Sequence, residues 1–465
     1  MSLELNFFGA ARNVTGSRIL LKTNTAKILV DCGVHQERSL RDRDWAPFPV
    51  SPATIGAVLL THAHLDHCGY LPRLIAHGFK GPVFATPATC EIAKIVLLDS
   101  AHIQEEDALR KRKRHRKQKR KSPYGYEPLY TTRDAEKAIE HFSPVSYHEL
   151  TDILPGIQAK WHDAGHILGS GSIEIQVSDS EGMKRILFSG DIGRNNTPIL
   201  RDPEPAIQSD IIVIESTYGD RQHGPEAEIA SILKDVINQT VQSRGNIIIP
   251  SFAIGRTQEL LYHLNALLEE NLIPPLPVFV DSPMAIRVTE VFTHFPQIFD
   301  DEMSAYLNRG ESPFDSRCLY MTRTTAQSKA INSVRGSAVI IAGSGMCTGG
   351  RIKHHLVHNI SDSKNTILFP GYQAHGTLGR HILEGAKEIR LFGSHFPVRA
   401  NIVRIPGLSA HADSIELESW ITKGKDADVF VVHGEENSAF AFADQLRANR
   451  NLRVRVPDYL DRTKF

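Results

Sequence analysis

Along the first half of the chain, apolar positions come in short runs and alternations that stop at Gly, Asn or Thr. LELNFFGA, SRILLKT and AKILVDCG open the series, and GAVLLT, PVFAT, SIEIQV, RILFSG and DIIVIEST carry it to about residue 217. Runs of this length and punctuation predict β-strands. Two stretches keep the three-and-four spacing of a helix face instead, TPATCEIAKIVLLDSAHIQEEDALRK and TTRDAEKAIEHF, each opening on Thr as a cap. From about residue 222 the pattern changes. NIIIPSF leads into the helical RTQELLYHLNALLEE, PVFVDS into MAIRVTEVFTHF, and AVIIAGSG and TILFPGY follow. Strand and helix in alternation predict a parallel sheet covered on both faces, running to about residue 397. The final segment returns to strands, with NIVRI, DVFVVHGE and RVRVP, and a helix around residues 437 to 449.

Composition narrows the class. The 465 residues are 41% hydrophobic and 23% charged, which predicts a globular chain of two or three domains. No run approaches the roughly 18 apolar residues of a membrane span, and MSLELNFFGA lacks the basic-then-apolar order of a secretory signal. Five scattered cysteines without a CxxC favour reduced thiols, so a cytoplasmic location is expected. Fifty-three basic residues balance 53 acidic ones, but RKRKRHRKQKRK, residues 110 to 121, holds ten of the Lys/Arg. Without it, 43 basic face 53 acidic residues. An acidic body with one dense basic segment, extending a predicted helix up to the break at SPYGYEP, suggests a phosphate-binding arm.

The chemistry gathers at strand ends. THAHLDHCGY places His62, His64, Asp66 and His67 within six positions, directly after an apolar run. His166 stands between glycine-rich turns in DAGHILGSG, Asp191 follows the strand ILFSG, and His433 follows VFVV. Crowded imidazoles repel when protonated and are costly when buried unpaired; a divalent metal relieves both. Imidazole and carboxylate donors without thiolate suit zinc or a similar ion.

AKILVDCG, THAHLDHCGYLP, DAGHILGS and FSGDIG resemble, in this order and at these intervals, the successive motifs of the metallo-β-lactamase superfamily. ESTYG, GSGMCTGGR, GYQAHGTLGR, SAHAD and VHGE are similar to its β-CASP subgroup of RNA-processing nucleases, which includes the pre-mRNA cleavage subunit and its bacterial and archaeal relatives. The resemblance covers essentially the whole chain. It implies an α/β fold: an αββα sandwich (residues 1–221 and 398–465) interrupted by an inserted, Rossmann-like β-CASP domain (222–397). His433 must then meet His67 across 366 positions, with the insertion over the metal edge. The resemblance assigns two Zn2+ per chain, one to His62, His64 and His166, the other to Asp66, His67 and His433, with Asp191 bridging. Asp31 becomes the carboxylate that orients the site, and Glu215 and His411 the additional catalytic pair.

The implied function is hydrolysis of single-stranded RNA by two-metal-activated hydroxide, endonucleolytic with 5′–3′ exonucleolytic cutting left open, giving 5′-phosphate and 3′-hydroxyl ends. A His held by a carboxylate suits protonation of the leaving group. DNA-processing relatives usually carry an apolar residue at the position of His433, which favours RNA. Glycine-rich turns at helix starts can present amides to phosphate, so Ser344 and Arg351, His375 and Arg380, and Arg256 are candidates for substrate contact, with plain packing the alternative for each; Ser409 and Ala410, beside His411, are further candidate substrate contacts. The N-terminal RNA-binding module of many archaeal relatives is not expected here, and the sequence leaves a homodimer open. Three other classes compete: a hydrolase of small esters or thioesters, a catalytically inactive RNA-binding scaffold, and a DNA nuclease on the same scaffold. The first has no need of the inserted domain, the Glu215–His411 pair or the basic arm, and the second would require broken ligands where all seven are intact.

Overall fold

The computed structural model describes residues 3–37, 39–119, 125–179, 182–223, 228–371, 373–374, 376–406, 408–421, 427–450 and 452–465. Contacts divide the chain into two compact units. The first comprises Met1–Asn196, Asp202–Gln222 and His411–Phe465, the second Thr197–Arg201 and His223–Ala410.

The strands of the first unit are β1 (Glu4–Gly9), β2 (Arg18–Lys22), β3 (Lys27–Val30), β4 (Ala57–Leu59), β5 (Val83–Ala85), β6 (Phe142–Pro144), β7 (Thr151–Leu154), β8 (Ile157–Asp163), β9 (Gly171–Asp179), β10 (Gly182–Phe188) and β11 (Ile211–Ile214). The second unit contributes β12 (Ile247–Pro250), β13 (Val278–Val280), β14 (Leu319–Met321), β15 (Val339–Ala342), β16 (Thr366–Pro370), β17 (Glu388–Leu391), β18 (Ser394–Pro397) and β19 (Asn401–Ile405). The chain then returns to the first unit with β20 (Asp428–Val431), β21 (Arg453–Arg455) and β22 (Arg462–Lys464).

Two seven-stranded sheets form the first unit, in the orders β22-β1-β2-β3-β4-β5-β6 and β21-β20-β11-β10-β9-β8-β7. Their inner faces bury one core, in which Leu5, Phe7 and Ile28 of one sheet join Trp161, Ile173 and Phe430 of the other. In β8 the alternation is strict: Ile157, Ala159 and Trp161 are buried, and the residues between them are not. The Trp161 indole donates to Leu60 O at 2.9 Å, so the largest core side chain also fixes the strand that leads to THAHLDH.

The second unit carries a six-stranded sheet, β14-β13-β15-β12-β16-β19, in which every pair is parallel. Period-two alternation sends Ile247, Ile249 and Leu368 to one core and Ile248, Ile367 and Phe369 to another. The first core holds the helices Arg256–Glu269 and Pro283–His294, the second the helix Ile352–Asn359. One expectation is corrected here. NIVRI does not begin the return to the first unit at residue 398; as β19 it pairs in parallel with β16, Thr366 opposite Asn401 through Pro370 opposite Ile405, and Ile405 is fully buried in the core of the second unit. Among the described residues no helix is long and apolar enough to cross a membrane.

Candidate metal centre

β4 is short and wholly buried, the chain stays buried through Thr61, His62 and Ala63, and His64 stands at the N-cap of the one-turn helix Leu65–Cys68 without a side-chain capping bond. Asp31 follows β3, His166 lies between β8 and β9, Asp191 follows β10, Glu215 follows β11 and His433 follows β20. Parallel pairing of β3 with β4, and of β10, β11 and β20, brings these strand ends to one side of the first unit. The loops there pack backbone to backbone. A Cβ on Gly33 would lie 1.5 Å from Asp66 O, and one on Gly193 would lie 1.9 Å from Gly165 O, so neither position tolerates a side chain. Asp31 and His433 adopt left-handed backbone (φ 58° and 50°), an uncommon state for residues other than glycine that concentrates at functional sites.

Seven side chains then converge. His62 Nε2 is 3.0 Å from His64 Nδ1, which is 3.2 Å from His166 Nε2. His67 Nε2 is 2.9 Å from His433 Nε2, with Asp66 Oδ2 3.6 Å from the same nitrogen. Asp191 stands between the two sets and divides its oxygens. Oδ2 is 3.4 Å from His62 Nε2 and 3.5 Å from His166 Nε2, while Oδ1 is 3.3 Å from His67 Nε2 and 3.5 Å from His433 Nδ1. The donor atoms of His62, His64, His166 and Asp191 all fall within 4.8 Å of one another, as do those of Asp66, His67 and His433.

This donor set fits divalent cations. Ring nitrogens about 3 Å apart cannot both carry protons, and Asp191 Oδ1 is buried without a hydrogen-bond partner among the described residues. Burial, reinforced by the neighbouring imidazoles, drives His62 well below the usual histidine range, and burial takes His64 to about 4, so both rings offer lone pairs. Burial also opposes the charged form of His67, but Asp191 and Asp31 outweigh it and hold that ring at about 10. A cation at the centre would replace that proton.

Supporting contacts fix the ring orientations. Asp31 Oδ2 lies 2.7 Å from His67 Nδ1 and accepts from Thr61 Oγ1 at 3.0 Å, while Asp31 Oδ1 accepts from Thr61 N at 2.9 Å. Thr61 Oγ1 also contacts His62 Nδ1 at 3.0 Å, and Thr217 Oγ1 contacts His433 Nδ1 at 3.1 Å. The sequence reading missed Thr61 and Thr217, although both sit inside its motifs; nothing in a hydroxyl's identity marks it as an orienting group.

Glu215 is fully buried, and its Oε1 accepts from Ile192 N at 2.7 Å. His411 Nδ1 lies 3.1 Å from the same oxygen, and the His411 ring is 20% exposed. Burial disfavours charge on both. The His411 charge nevertheless keeps Glu215 below the carboxylate range, and Glu215 with Asp191 holds His411 up at about 9. Each partner therefore favours the charged form of the other, beside the candidate metal donors.

The expected substrate contacts fare differently. Arg351 is committed elsewhere: Nη1 donates to Asp281 Oδ1 at 2.6 Å and Thr322 O at 3.0 Å, and Nη2 to Arg323 O at 3.1 Å. The Ser344 hydroxyl accepts from the amides of Thr348 and Gly349, both at 3.1 Å, and so closes its own turn. Arg256 is buried against Glu259 at 2.5 Å. These three are occupied within the second unit, where folding has used their polarity. Arg380 is 40% exposed and paired with Glu384 at 2.7 Å. Ser409 and Ala410 are half-buried on the stretch leading to His411, and His375 lies outside the described residues.

Comparison with known proteins places these features in a lineage. Residues 14–237 match the model of the metallo-beta-lactamase superfamily, 257–382 that of the Beta-Casp domain, and 396–457 that of the Zn-dependent metallo-hydrolase RNA specificity domain. The chain is 37% identical over 439 residues to ribonuclease TTHA0252 of Thermus thermophilus, covering 94% of this chain and 95% of that protein. It is 32% identical over 476 residues to transcription termination factor FttA of Methanocaldococcus jannaschii, covering 99% of this chain and 71% of that one. A crystal structure of a protein of unknown function from Enterococcus faecalis V583 shares the fold, with a TM-score of 0.55 over the full length of both chains at 11% identity. With its donor clusters at the strand ends and a relative matched along nearly its whole length, the chain belongs to the β-CASP branch of the metallo-β-lactamase superfamily.

Proposed function

We propose that the chain is a zinc-dependent ribonuclease, with two Zn2+ per chain, that hydrolyses RNA phosphodiester bonds to leave 5′-phosphate and 3′-hydroxyl ends. The observation that carries this reading is Asp191, whose two oxygens face two separate donor sets beside the Glu215–His411 pair. His62, His64 and His166 would hold one ion and Asp66, His67 and His433 the other, with Asp191 facing both donor sets. When bound, such ions supply Lewis acidity toward water and the phosphoryl oxygens.

The remaining work falls to the chain's own groups. Asp31 takes the Nδ1 proton of His67 as a hydrogen bond, which keeps the Nε2 lone pair directed at the site. Glu215 engages Nδ1 of His411, so the proton that leaves is the one on Nε2. Delivered to the 3′-oxygen of the leaving nucleotide, it leaves the phosphate on the 5′ side of the other product. The similarity to a protein named a ribonuclease, over 95% of that protein, supports RNA as the substrate.

Single-stranded RNA and DNA of equal sequence, end-labelled and incubated with the native protein, test this. RNA should be cut preferentially, with 5′-phosphate ends and loss of cleavage on chelation. Preferential cutting of DNA, or cleavage unaffected by chelator, would overturn it.

A further inference from the structure

Away from the centre, the first unit assembles a second group of metal donors that the proposed reaction does not use. His148 precedes β7 in a left-handed backbone conformation (φ 63°), His162 lies on β8, and Glu204 lies in the loop before β11. His148 Nε2 is 3.3 Å from Glu204 Oε1, and His162 Nδ1 is 3.5 Å from Glu204 Oε2. One donor atom from each of the three falls within 4.8 Å of the others. The two measured separations exceed the usual N–H···O hydrogen-bond length. Each imidazole meets a different oxygen of the Glu204 carboxylate, and Oε1 also accepts from Asp163 N at 3.3 Å. The separations are close to the roughly 3.3–3.4 Å between ligand atoms around a tetrahedral zinc ion whose ligands sit at about 2.0–2.1 Å.

The surroundings are those of a ligand set. The other nitrogen of His162, Nε2, is 3.1 Å from Glu174 Oε2. Glu174 Oε1 in turn accepts from Gln176 Nε2 at 2.7 Å and lies 2.9 Å from Arg185 Nε. A carboxylate on the far nitrogen is the usual support of a ligating imidazole, because it fixes the tautomer and raises the basicity of the near nitrogen. The backbones are fixed as well. His148 N donates to Trp161 O at 2.9 Å, Glu204 N donates to Asp163 O at 2.9 Å, and the Trp420 indole donates to Glu204 O at 2.7 Å. The side chains grade from 13% exposed at His162 through 36% at Glu204 to 58% at His148, so an ion can enter from solvent and keep water in its fourth position.

We propose that His148, His162 and Glu204 form an additional surface site for a borderline divalent ion such as Zn2+, separate from the buried centre. An ion held there ties the loop bearing Glu204 to β8. The site asks nothing of the catalytic chemistry, so its failure would leave the ribonuclease reading untouched.

The test is equilibrium dialysis of the intact protein, with its buried ions in place, against buffered Zn2+, followed by elemental analysis. The wild type should take up one further equivalent per chain, more weakly held than the rest. His148→Ala and Glu204→Gln should each lose that equivalent alone and keep the ions of the buried centre. Equal ion counts in the wild type and both variants, or an extra ion that survives both substitutions, would overturn the proposal.

Discussion

Asp281 shows how a buried residue can claim a group that the sequence offers to substrate. Its carboxylate is fully buried and takes hydrogen bonds from Arg351, Thr322 and Ser328, with His355 Nε2 at 2.7 Å. Burial opposes its charge, but these partners hold it well below the carboxylate range. Removing one member of a buried charged network typically costs about 3–5 kcal/mol; Asp281→Asn should destabilise by that order in denaturant unfolding. Seventy positions separate Asp281 from Arg351, so no local reading of GSGMCTGGR could see the arginine's partner. The metal donors were more legible because HxHxDH is contiguous and crowding imidazoles is costly without a cation. Between Glu215 and His411 the distance is 196 positions, and only the family resemblance joined them. Their assigned roles predict that His411→Ala and Glu215→Ala lower cleavage by roughly 10²–10⁴-fold while metal content holds. Loss of metal from either variant would make that residue a ligand instead. His162 gives a pH test in protein stripped of divalent ions. Burial opposes its charge, but Glu174 and Glu204 raise it to about 8. Its stabilising contribution is therefore complete below about pH 6.5 and fades as pH rises through 8. The stability gap between the wild type and His162→Gln should shrink over that interval.

At the scale of elements, strands with strict alternation or buried runs were readable, and polar ones were not. β22 consists of Arg462, Thr463 and Lys464, which carry no apolar signal; it exists because β1 offers an edge, pairing Glu4 with Lys464 and Asn6 with Arg462. NIVRI read correctly as a strand, but pattern alone does not say which sheet a strand joins. The basic segment continues a 32-residue helix, Pro87–Gln118, ended by Lys119 in left-handed conformation; residues 120 and 121 lie outside the described residues. From residue 112 its Lys and Arg side chains are exposed. If this helix lies along RNA, replacing Lys113, Arg114, Arg116 and Lys117 by Gln should weaken binding to every sequence alike. For a single strand, the salt slope should fall by roughly 0.7 for every phosphate that these side chains no longer neutralise. Binding by the His411→Ala protein over a salt series reads this directly, and cleavage of a saturating short RNA should barely change. An unchanged slope would make the segment a solvated helix.

For the whole molecule, the two units use different logics. The first spends its strand ends on donors that repel one another without a cation, and the second spends its buried polar groups on its own cohesion. Small-ester hydrolysis would require only the first, without the Glu215–His411 pair. On the proposed function, the first unit holds two ions through Asp191. Elemental analysis of the His148→Ala protein, alone and with Asp191→Ala added, tests it with the surface site removed from the count. About two zinc ions per chain are expected, falling to one or none when Asp191 is replaced, with RNA cleavage falling in parallel. Less than about one ion per chain, together with RNA cleavage indifferent to chelator, would contradict it.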